Sequence, residues 1–252
     1  MSERGKYIFC IIEARQLARH GESASGMTGG EGGWDGIHTI TCRDLAAVVK
    51  DSPLAPPKPT REDLMGHLRV IEQVMQVSTV IPVEFGTIAA SEEEVREGLL
   101  ASRYEQFKAL LRYLEGKVEL GLKALWRERE PIFAEIAAEQ ERIRALREWI
   151  AARPEAHTRQ QRIEIGRMVA QALEAKRSKE GGEILESLAP LAAETRAGRL
   201  LGEKMILNTA FLVERQRETE FDERVSRLAA ERGQRLLFKY VGPAPPFNFV
   251  NM

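Results

Sequence analysis

Four histidines, two cysteines and a handful of glutamates are the side chains of this chain that could do chemistry, and their spacing decides what kind. His20, His38, His67 and His157 are scattered and none stands in a His-Glu-x-x-His zinc pattern, so each reads as a surface or capping histidine. Gly21-Glu22-Ser23-Ala24-Ser25 fails as a nucleophile elbow because Ser25 stands where the second glycine belongs. Gly29-Gly30-Glu31-Gly32-Gly33 has the composition of a phosphate cradle but no Lys-Ser/Thr pair, and Glu31 would repel the phosphate. Glu92-Glu93-Glu94 point in different directions on a helix, and a helix start favours acids without any metal. Cys10 and Cys42 lie in apolar stretches and read as buried thiols, too few for a disulfide framework or a closed zinc site. Glu84 and Glu119 fall in strand-like segments; burial would make them interesting, though alternation equally allows both to face water. No catalytic, cofactor-binding or metal residue is assigned.

The elements around these residues look built for contact. A net charge of −1 on 252 residues sets up no field for nucleic acid or an anionic membrane. No apolar run approaches the ~20 residues of a membrane helix. The N-terminus leads straight into a strand without a signal-peptide pattern, so a cytoplasmic location is expected. Tyr7-Ile8-Phe9-Cys10-Ile11-Ile12 has the unbroken apolarity of a strand covered on both faces. A Gly/Ser-rich stretch, 20–36, reads as a surface connection, and strands are expected at 37–42 and 45–49 around a turn at Arg43-Asp44. Thr60 caps a helix whose buried face is predicted to run through Leu64, Leu68, Ile71 and Met75. Val80 to Ile88 is predicted as a strand, with Pro82 marking an edge or bulge. Ser91 and Glu94 form a capping box opening a helix toward Leu114.

Lys117 to Trp126 alternates as a strand. Ile132, Ile136, Ile143, Leu146 and Ile150 then trace a heptad seam with Glu139 at the missing position, and Ile165, Val169, Ala172 and Lys176 continue it past Pro154. That predicts an antiparallel coiled-coil hairpin over about 131–176, with seams satisfied within one chain, hence a monomer. Met205 to Val213 is a strand interrupted by Asn208, whose amide needs partners. A helix over 216–232 turns Phe221, Val225 and Leu228 inward, and 236–241 is the last strand. The fold class is α+β in two domains: an N-terminal sheet domain (1–114), and a C-terminal modified ferredoxin-like domain (115–252) carrying the hairpin. The ending 243–252, with Pro245, Pro246, Phe247, Asn248 and Phe249, is predicted as an extended polyproline-like arm that docks through its phenylalanines. With Asn208, Phe211 and Phe85, these residues are the candidate partner-binding or tail-docking set.

In order along the chain, these pieces resemble the gas vesicle protein F/L family (GvpF/GvpL). The resemblance rests on Tyr7-Ile8-Phe9, the runs 43–49 and 80–87, Leu114 to Lys123, Gly202 to Arg215 and the Gly242 to Val250 ending. The chain departs from the pattern at His67-Leu68, at Ala244 and Phe247, and in its long glycine-rich stretch. The resemblance implies a non-enzymatic accessory or minor structural protein of gas vesicles. Such a protein would bind the hydrophobic shell protein GvpA and support nucleation or assembly, with no cofactor. Two alternatives stand beside it: a scaffold joining other gas vesicle accessory proteins, and an enzyme built on an open pocket with perturbed carboxylates such as Glu84 and Glu119.

Overall fold

The computed structural model describes residues 4–15, 36–55 and 59–250; the predicted loop 20–36 therefore lies outside the described residues, Gly36 excepted. The first sheet holds β1 (Arg4–Glu13), β2 (Ile37–Cys42), β3 (Leu45–Pro53), β4 (Ile81–Pro82) and β5 (Ile88–Ala89). Its order is β2-β3-β1-β4, with β5 also paired to β1. β1 is central, which is why every residue from Tyr7 to Ile12 is buried. A bulge sits between Ile8 and Cys10, where the pairing with β3 slips by one residue. The slip resets the side-chain alternation. Tyr7 and Phe9 before it, and Cys10 and Ile12 after it, all enter one core with Ala46, Val48, Val70, Ile71 and Val74. Arg43, at φ 56°, closes the β2–β3 turn where the sequence places it.

Helix α1 (Arg61–Val77) starts as expected, the Thr60 hydroxyl accepting from the Asp63 amide at 3.1 Å. Its inward face differs from the prediction. His67, Val70, Ile71 and Val74 are buried, whereas Leu64 is exposed. The predicted strand from Val80 to Ile88 is also broken. Two short pairings, β4 and β5, flank a turn in which Gly86 takes φ 89°, a conformation that suits glycine. Pro82 is on an edge, where its missing N–H costs no ladder bond. Helix α2 (Glu94–Ala101) is wound as a π-helix after the Ser91–Glu94 contact, and α3 (Tyr104–Leu114) follows it. Lys108 of α3 ties to Glu13 and to Asp44 (2.7 Å), fastening the helix to β1 and to the β2–β3 turn.

The second sheet contains β6 (Lys117–Trp126), β7 (Glu194–Ala197), β8 (Met205–Glu214) and β9 (Leu236–Ala244) in the order β7-β8-β6-β9. Between β6 and β7 come α4 (Glu130–Glu139), α5 (Glu141–Ala151) and α6 (Arg159–Leu188). α5 packs against α6. The continuous seam expected through 132–150 is interrupted at Gln140, which leaves helical geometry at φ −112°, ψ 98°. Glu139 at the gap is satisfied by Lys176 at 2.7 Å. Helix α7 (Glu218–Arg232) buries Phe221, Val225 and Leu228 as predicted, with Phe221 edge-on to Phe211 at 5.0 Å. The molecule is thus mixed helix and sheet, with two antiparallel sheets.

By contact density the chain forms two compact units, 1–119 with 242–252, and 120–241. The sequence attaches the closing segment to the C-terminal domain, whereas it groups with the N-terminal unit. It is also less extended than predicted. Gly242 to Ala244 completes β9, an edge strand that tolerates Pro243, and Phe247–Phe249 closes into a 3-10 turn after Pro246.

Candidate functional site

Within the N-terminal unit, β1, β3, α1 and the turn after β4 enclose a groove of about 710 Å³. Its floor is Tyr7, Phe9, Ile37, Val70 and Phe85, and its rim includes Lys50, Asp51, Glu62, Asp63 and Arg69. Tyr7 and Phe9, two residues apart in β1, reach this face together by ordinary strand alternation. Tyr7 and Phe9 meet edge-on at 4.9 Å, Phe9 stacks on His67 at 5.5 Å, and Phe85 stands edge-on to His67 at 5.7 Å.

A hydrogen-bond chain fixes this aromatic group. His67 Nε2 lies 2.9 Å from the Val83 carbonyl, which can only accept, so the proton belongs on Nε2. Nδ1 is then an acceptor, and the Tyr7 hydroxyl donates to it at 2.8 Å. The Tyr7 oxygen in turn accepts from the Gly86 amide at 3.3 Å. Burial pushes the His67 imidazole below its usual range and the Tyr7 phenol above its own, so both stay neutral near pH 7. Every donor in the chain has its acceptor, so the group is a clamp on the Val83–Gly86 turn. Lys6, hydrogen-bonded to Asp51 at 2.6 Å, holds that carboxyl below the usual carboxylate range at the groove rim. The groove thus combines apolar lining with charged residues at its edge.

The tail docks in the same unit. Pro245 and Pro246 are buried, Phe249 is 2% exposed, and Phe247 packs on the Tyr7–Phe9 core that Phe85 also covers. Glu119 is buried, and its carboxylate takes the Asn248 backbone amide at 2.9 Å and the side-chain amide at 2.5 Å. Glu84 lies in the turn beside a smaller hollow of about 350 Å³, shared with Pro82, Thr87, Leu99, Arg103 and Phe247. Among the described residues, the hollow beside Glu84 is not lined by Glu119.

The remaining candidates belong to the other unit. Asn208 donates to the Arg199 carbonyl at 2.8 Å, pinning the chain between β7 and β8, and Phe211 is fully buried core. His67 was missed as a buried residue because a histidine at one helix position carries no sign that Tyr7 and Val83 will meet it. Among the described residues, no group of three or more His, Cys, Asp or Glu could hold a metal, and no helix is long and apolar enough to cross a membrane.

Residues 5–251 match the family described as gas vesicle synthesis protein GvpL/GvpF. The chain belongs to the GvpL/GvpF family. It is 32% identical over 206 residues to gas vesicle protein F of Streptomyces sp. (strain CB03234), covering 82% of this chain and 84% of the relative. Its fold is similar to the crystal structure of GvpF from Anabaena sp. PCC7120 (TM-score 0.84, 20% identity), covering 100% of this chain and 99% of that one. GvpF from Microcystis aeruginosa matches at TM-score 0.78 and 20% identity, over 98% and 99%. Membership in GvpL/GvpF marks the chain as a gas vesicle-associated protein.

Proposed function

We propose that this GvpL/GvpF member is a non-enzymatic assembly factor that binds the hydrophobic gas vesicle shell subunit and shields it from aggregation before incorporation. The observation that carries the proposal is the groove of the N-terminal unit, with aromatic floor and charged rim, in a chain of a family described as gas vesicle synthesis proteins. An apolar shell segment is insoluble alone; a floor of Tyr7, Phe9 and Phe85 covers it, and the rim selects its orientation. The docked tail supports the same reading by closing the core beside the groove. The C-terminal unit is read as a modified ferredoxin-like module, its strand order β7-β8-β6-β9 with α7 between β8 and β9 supporting that assignment, and α5–α6 as a coiled-coil-like insertion.

Retention of purified shell subunit on immobilised full-length protein tests the proposal. Gly66 lines the groove, and a side chain added there meets nothing within 4 Å. Gly66→Lys is therefore expected to obstruct the groove without strain, lowering retention about tenfold or more while leaving the melting temperature unchanged or higher. Full-length protein that retains no shell subunit, where other accessory proteins do, would end the proposal.

A further inference from the structure

Between Glu141 and Arg167 the chain carries seven arginines, no lysine and four glutamates, a positive surplus of three in a protein of net charge −1. Three of the arginines are engaged locally. Arg142 pairs with Glu164 at 2.7 Å, Arg162 holds Thr158 at 3.1 Å and Glu155 at 3.5 Å, and Arg153 lies over the Trp149 ring at 4.0 Å. Arg144, Arg147, Arg159 and Arg167 are exposed and have no hydrogen-bond or ion-pair partner among the described residues.

Two of these four frame an apolar side chain. Arg159, Ile163 and Arg167 recur every four residues on α6 and so share one face. Ala172, nine residues beyond Ile163 and thus half a turn round the helix, is buried, so along this stretch of α6 the arginine face lies opposite the side that Ala172 packs. A single exposed isoleucine would signify nothing. This one is 66% exposed, more than any other large hydrophobic side chain among the described residues. It also borders a hollow of about 500 Å³ lined by Glu155, Ala156, Arg159, Arg162 and Ile163. Glu155, the carboxylate on that wall, is held by Arg162. Gly166 on the same side leaves room for close approach, since a Cβ there would meet nothing within 4 Å.

We propose that the Arg159–Ile163–Arg167 face of α6 docks an acidic amphipathic helix of another protein. One apolar side chain of the partner sits in the hollow against Ile163, and carboxylates four residues to either side meet Arg159 and Arg167. Guanidinium groups bind carboxylates bidentately and shed water more readily than ammonium groups, which suits an all-arginine face. A second copy of this chain would bring arginines against arginines, so the face is not a homodimer surface. A nucleic acid would satisfy the charges but leave Ile163 unused, and Trp149, the nearby ring for stacking, is already covered by Arg153. The inference is independent of shell-subunit binding.

The test titrates full-length protein with a short helical peptide bearing one leucine and glutamates four residues to either side, followed by fluorescence anisotropy. Saturable binding is expected, weakening about tenfold or more when salt rises from ~0.05 to ~0.5 M, and absent for the matching lysine peptide. Arg159→Glu with Arg167→Glu should exchange that preference, and Ile163→Ser should weaken binding about tenfold. All three positions are exposed, and circular dichroism confirms that the variants stay folded. Absence of saturable binding, equal binding of the two peptides, or equally tight binding of a single-stranded oligonucleotide overturns the inference.

Discussion

Tyr7 and His67 show how one buried polar pair decides a local conformation. The hydroxyl gives its proton to Nδ1 and receives the Gly86 amide, while Nε2 holds the Val83 carbonyl. Tyr7→Phe would strand two of these groups, and we expect a loss of about 1–3 kcal/mol in urea unfolding. Glu119 plays the equivalent part for the tail, taking two donors from Asn248. Glu119→Gln turns one accepting oxygen into a donor facing a donor. Faster hydrogen exchange at residues 247–249 is the expected result, with a cost of about 1–2 kcal/mol. The sequence drew notice to Glu119 as a strand glutamate of uncertain side. That its partner would be Asn248, 129 residues away, is invisible to any local pattern.

Among the elements, α6 carries adjacent glycines with opposite meanings. A Cβ on Gly181 would lie 2.4 Å from the Ile206 carbonyl oxygen of β8, whereas one on Gly182 would meet nothing within 4 Å. Gly181→Ala should therefore destabilise by about 1–3 kcal/mol, because the helix must lift off the strand. Gly182→Ala should stabilise by up to about 1 kcal/mol, because alanine suits a helix interior better. Thermal denaturation of the two single variants distinguishes them, and equal effects would refute the close-approach argument. From sequence the pair reads simply as two helix-weakening residues. Strand β7 was illegible for a different reason. Glu194-Thr195-Arg196-Ala197 is short, polar and at a sheet edge, so it lacks the apolar alternation that betrayed β6 and β8. The inward face of α1 was displaced toward His67 and Val70 because packing, not hydropathy alone, chooses which side of a mildly amphipathic helix is covered.

For the whole molecule, stability against pH should fall in two separate windows. Burial holds His67 below 6.5, so the unfolded chain takes up this proton first. Its contribution is complete above about 6.5 and declines as pH drops below that value, until the native imidazole protonates as well. Glu135 behaves oppositely in origin: hydrogen bonds from Arg235 and then Lys176 lower it from 4.5 to about 2. Its contribution is present above 4.5 and lost as pH falls toward about 2. His67→Gln should flatten the first window and leave the second. Arg235→Gln should shrink the second, since Arg235 also holds Glu180, at 2.7 Å, and gathers residues 100 positions apart. Urea midpoints measured from pH 7.5 to 3 check both expectations, and a single unaltered window in either variant would contradict the assignment.

Composition and period by themselves determined most of the element types, β7 and the broken 80–88 segment excepted, because burial imprints a repeat of two on strands and of nearly four on helices. They also placed the caps at Thr60 and Ser91, the Arg43-Asp44 turn and the inward face of α7, and the ordered residue runs carried the resemblance to the GvpL/GvpF family. Tertiary structure alone decided the bulge that turns Cys10 and Ile12 into the same core as Tyr7 and Phe9, the burial of His67, the capture of Asn248 by Glu119 and the grouping of the tail with residues 1–119. Each of these depends on partners far apart along the chain, and a side chain's environment is set by what folds against it.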